Sequence, residues 1–65
     1  MDRILAYLET IEEINRAERR LARRNNAINL ALLGSAVDAA KAAWLFMPAE
    51  LRANLLPPPE REDYC

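Results

Sequence analysis

The stretch Leu21-Ala22-Arg23-Arg24-Asn25-Asn26-Ala27-Ile28-Asn29-Leu30 decides the fold, because it either turns the chain back on itself or carries a single helix straight through. Asparagine ends helices in the left-handed region and also caps the start of the next one. Asn25-Asn26 therefore predicts a turn, and with it a helical hairpin. No Gly or Pro forces a break here, so one long bent helix is the alternative.

Upstream, residues 2–24 contain no proline or glycine and predict a first helix. Ile4, Tyr7, Ile11, Ile14 and Leu21 recur on alternating steps of three and four, and the same register runs on to Ile28 and Leu32. That is coiled-coil spacing, interrupted by Glu18 and Asn25. A polar residue on such a seam costs stability and fixes register, so both are candidate specificity residues. Otherwise the seam bends away from its partner and both side chains reach water. Glu9, Glu12 and Glu13 precede Arg16, Arg19, Arg20, Arg23 and Arg24, an order that suits the helix macrodipole. Glu12 and Arg16 are placed as an i,i+4 ion pair.

Downstream, residues 27–46 predict a second helix that is apolar over most of its circumference. Ser35, Asp38 and Lys41 share one narrow arc, while Ile28, Leu32, Leu33, Val37, Trp44, Phe46 and Met47 spread over the rest, with alanines between them. Such a helix needs neighbours on two sides. In the long-helix alternative the heptad continues through Ser35, Ala39, Ala42 and Phe46. Pro48-Ala49-Glu50-Leu51-Arg52 fits a short third helix over 48–55 with proline at its first position. Pro57-Pro58-Pro59 ends it and opens an extended, acidic, mobile tail over 57–65. Residues 1–56 then form a single helical domain.

The whole chain has 65 residues, no histidine, one cysteine and one glycine. A domain this small buries only about 60% of its unfolded surface, and the usual staples are missing. One cysteine closes no internal disulfide, and without histidine there is no Cys/His zinc site or imidazole chemistry. No phosphate loop, nucleophile elbow or metal-ligand spacing is present, so no enzymatic activity and no cofactor are expected. What remains is packing against other chains. The expectation is an all-α oligomeric bundle or coiled coil, a structural or regulatory subunit that meets itself or other protein subunits. Its main contacts would be Ile4, Tyr7, Ile11, Ile14, Leu21, Ile28, Leu32, Leu33, Val37, Trp44, Phe46 and Met47.

Two other classes compete. Residues 27–47 are long enough to cross a bilayer behind the arginine block, but Asp38 inside the stretch costs about 2.5–3.5 kcal/mol near a helix centre. The five arginines, Arg16, Arg19, Arg20, Arg23 and Arg24, span about 140° of one helical face and could follow a phosphate backbone or an acidic partner. The block is short and has no stacking aromatic, which disfavours nucleic acid. The start Met1-Asp2-Arg3-Ile4-Leu5 lacks a secretory layout, so the expected location is the cytoplasm or an intracellular assembly, with membrane association as the alternative.

Overall fold

The computed structural model describes residues 2–60, over which the chain is all-α: α1 (Arg3–Arg23), α2 (Ala27–Phe46) and α3 (Ala49–Arg52). The tail residues Glu62, Asp63 and Cys65 lie outside the described residues. Helix α1 starts where Asp2 Oδ1 accepts from the Ile4 N–H at 2.9 Å, satisfying one of the orphan donors of the first turn.

The chain turns at residues 24–26, so α1 and α2 pack on each other as a hairpin and the single long helix is excluded. The turn does not use the left-handed exit expected of asparagine: no described non-glycine residue has positive φ. Instead Arg24 and Asn26 are extended, and Asn26 Oδ1 accepts from the Asn29 N–H at 2.8 Å as the N-cap of α2. The Asn29 amide reaches back to the Arg24 carbonyl at 2.8 Å, an acceptor that the end of α1 leaves open, and to the Arg20 carbonyl at 3.3 Å, which also accepts from the Arg24 N–H at 2.9 Å. Arg24 thereby leaves the helix, and the arginine face on α1 keeps four of the five residues expected on it.

At the far end Met47 is extended and Pro48 serves as the N-cap of α3, one position before the helical site expected for it. Its ψ of 155° is the reason, because the helix can begin only at Ala49. The segment after α3 returns to the hairpin. Residues 56–60 have no regular structure, Pro58 and Pro59 are half-buried, and Lys41 Nζ pairs with Glu60 at 3.0 Å. That anchoring departs from the free tail expected at its first residues.

The molecule measures 38 × 22 × 15 Å. A helix with its side chains is about 10–12 Å across, so the thin dimension is a single layer of helices. Its radius of gyration, 12.3 Å, exceeds the roughly 11 Å of a compact domain of this length. Beyond the hairpin contact, only α3 and the segment after it lie against the two helices, with Leu51 and Leu55 on the core and Leu56 against Tyr7. The core is correspondingly small: Tyr7, Ile14 and Ala17 of α1 meet Leu33, Val37 and Ala40 of α2, with Met47 closing the end.

Candidate functional site

Helix α2 turns Leu33, Val37, Ala40 and the half-buried Trp44 toward α1. At 100° per residue these lie about 150° around the helix from a second apolar row, formed by Ile28, Leu32, Ser35, Ala39, Ala42 and Phe46. Every member of that second row is exposed, Ile28 at 72% and Phe46 at 77%. Leu45 is exposed about 100° around the helix from it, and Leu30 is exposed on the far side, beside the core-facing residues. The face of α2 opposite the core is therefore apolar and uncovered, with Asp38 about 80° and Lys41 about 140° around the helix from it. This exposed face is the candidate site.

The structure divides the expected contact residues by role. Tyr7, Ile14, Leu33, Val37 and Met47 are buried within the chain, and Ile4, Ile11, Leu21 and Trp44 pack half-buried against them. Only Ile28, Leu32 and Phe46 remain on the outside. The seam read from Ile4 to Leu32 is thus not one stripe. The non-helical residues 24–26, with Arg24 and Asn26 extended, interrupt the 100° rotation per residue, so the register beyond them no longer points at the same neighbour.

Glu18 and Asn25 are both exposed, and they line an open cleft of about 300 Å³ with Leu21, Ala22 and Leu33. Within the chain both reach water. Arg16 is tied to its own helix, to Glu12 at 3.6 Å and to Glu13 by a hydrogen bond. Arg19, Arg20 and Arg23 are exposed near the turn, with Arg24 just past them. Among the described residues no group of His, Cys, Asp and Glu is placed to hold a metal ion.

Spacing did not reveal the contacts at the other end of the hairpin. Tyr7 packs against Trp44 with ring centroids 5.2 Å apart and the ring planes tilted by 50°, and it donates its hydroxyl hydrogen to the Leu56 carbonyl at 2.7 Å. Burial pushes its phenol above its ordinary pKa, because the phenolate would lose solvation. The Arg52 guanidinium lies 6.0 Å from the Trp44 ring centroid, and its Nε is buried without a hydrogen-bond partner. Arg3 donates to the Phe46 carbonyl at 3.3 Å and sets a cation at the negative end of the α2 dipole. A groove of about 380 Å³ runs between Tyr7, Leu8, Ile11 and the returning segment Asn54–Pro57 with Pro59.

By length and composition α2 is also apolar enough to cross a membrane. No family model, curated protein or solved structure matches the chain.

Proposed function

We propose that the chain is a non-enzymatic helical interaction protein, a structural or regulatory subunit that works by packing the outer face of α2 against another protein surface. The observation that carries this reading is the exposure of Ile28, Leu32 and Phe46 in one row, opposite the core and unbroken by charge. An exposed apolar patch of this extent marks an interaction site. A single layer of helices gains most by acquiring a second layer, since that covers α2 without repacking α1. An intracellular assembly is the setting this reading implies.

Sedimentation of the untagged chain with and without detergent tests it. A protein complex in buffer supports the reading. A chain that stays dispersed only in detergent or lipid favours the second reading, a membrane-inserted α2, which its length and composition support. Asp38 and the exposed Lys41–Glu60 ion pair weigh against that option, since these polar groups on and beside α2 would have to enter the bilayer or reach the interface. Binding to the arginine face is weakened as a third reading by the Arg16 pairing and by the departure of Arg24 from the helix. Nucleic-acid binding would show a steep salt dependence that vanishes when Arg19, Arg20, Arg23 and Arg24 become glutamate.

A further inference from the structure

We infer that the outer face of α2 binds a second copy of the same chain, antiparallel, about a two-fold axis passing by residue 37. This rests on the reading of α2 as an interaction surface and adds its occupant and orientation. The row Ile28, Leu32, Ser35, Ala39, Ala42 and Phe46 repeats on alternating steps of four and three, which is the spacing a second helix needs for knobs-into-holes packing. It spans about 27 Å at 1.5 Å per residue, most of the length of the molecule.

The row is also symmetric in position about residue 37. Reversal about that point sets Ile28 opposite the partner's Phe46, Leu32 opposite the partner's Ala42, and Ser35 opposite the partner's Ala39. A two-fold interface requires this reciprocity, in which each residue of a pair meets the other twice. Large side chains then close the two ends, Leu32 fills the space above an alanine, and small residues at the centre let the helix axes approach to about 8 Å. The Ser35 hydroxyl, covered in such a pair, has a carbonyl of its own helix four residues back to bond.

Charge selects the antiparallel orientation and the self-partner. The turn end carries Arg16, Arg19, Arg20, Arg23 and Arg24 against Glu18 alone. The first half of α1 and the α3 region carry Asp2, Glu9, Glu12, Glu13 and Glu50 against Arg3 and Arg52. Each chain is thus positive at one end and negative towards the other, and antiparallel pairing opposes unlike ends where parallel pairing opposes like ones. Arg24 lies just past the turn end of α2 and Glu50 just past its other end, both exposed, so antiparallel pairing brings the arginine end of each chain towards the acidic end of its partner.

Equilibrium sedimentation of the full chain, of Ala39→Glu, and of Arg24→Glu, Glu50→Arg and their double variant tests the inference. The expected result is a wild-type dimer. Ala39→Glu, which sets like charges beside the axis twice, weakens it about a hundredfold while leaving helix content intact. Each single reversal weakens it about tenfold, and the double variant recovers it. In a Cys65→Ser background, Ile28→Cys mixed with Phe46→Cys gives oxidised heterodimers in preference to homodimers. A wild-type monomer, a dimer indifferent to Ala39→Glu, or homodimeric cross-links at residue 28 would overturn the inference. A dimer with homodimeric cross-links leaves the interaction reading standing. A monomer that enters phosphatidylcholine vesicles removes both.

Discussion

The Tyr7 hydroxyl donates to the Leu56 carbonyl at 2.7 Å, a bond between residues 49 apart that fastens the chain leaving α3 to the first turns of α1. Tyr7→Phe keeps the buried ring against Trp44 and removes only this bond. We expect a loss of about 0.5–1.5 kcal/mol in urea unfolding, with faster amide exchange confined to residues 51–56. Global exchange enhancement would show that the bond holds more than the C-terminal segment.

The same tyrosine makes stability fall at alkaline pH. Its phenol titrates above the ordinary value of 10.0 in the folded chain, so the folded state holds the proton more tightly than the unfolded one. This contribution is fully present below pH 10 and is lost as pH rises from there through the raised folded pKa. Denaturation midpoints measured from pH 8 upward should drop more steeply in wild type than in Tyr7→Phe, and equal slopes would rule the tyrosine out as the cause.

The two faces of α2 should answer differently to truncation. Leu33 is fully buried between the helices, and Leu33→Ala is expected to cost about 2–5 kcal/mol through lost contacts and the cavity left behind. Ile28→Ala on the outer face should change the stability of the isolated chain by no more than about 0.5 kcal/mol, while weakening any assembly. Urea titration at low protein concentration separates the two effects.

The turn depends on one amide side chain. Asn26→Ala removes the cap of α2 and should cost about 1 kcal/mol, whereas Asn26→Asp or Asn26→Ser, which keep an acceptor, should cost little. Asn25→Ala serves as the control, because its neighbour holds the capping bond. Equal losses at both positions would mean that the turn is fixed in some other way.

Arg52 sets two effects against each other. Its guanidinium gains from the Trp44 ring, by about 0.5–1 kcal/mol, while burying an unpartnered Nε–H costs about 1–3 kcal/mol. Arg52→Met keeps the length of the stem and removes the orphan donor, so it should match or exceed wild type in stability. Trp44, the sole tryptophan, reports the change directly through its fluorescence. A clear destabilisation would show that the stacking outweighs the orphan donor.

Local features were legible in the sequence because they depend on neighbours along the chain. The asparagine turn, the proline stop before Ala49 and the Glu12–Arg16 pair are all set within a few residues. The candidate site was only half legible. Ile28, Leu32 and Phe46, which the structure leaves exposed, were expected as contact residues, but they were grouped with Leu33, Val37 and Met47, which the chain uses for its own core. No spacing hinted at the bonds of Tyr7 to Leu56 or Arg3 to Phe46, which join residues more than forty positions apart.

The sequence by itself determined that this chain is helical and that α2 carries more apolar surface than one neighbour can cover. The tertiary structure decided which side of α2 is covered. Periodicity is a property of one continuous helix, and the non-helical residues 24–26 break its phase, so register in α1 says nothing about register in α2. Helix α2 is apolar nearly all round, and its own pattern therefore leaves the choice open. Packing settled it by seating Leu33, Val37 and Ala40 on Tyr7, Ile14 and Ala17, which turned the row from Ile28 to Phe46 outward.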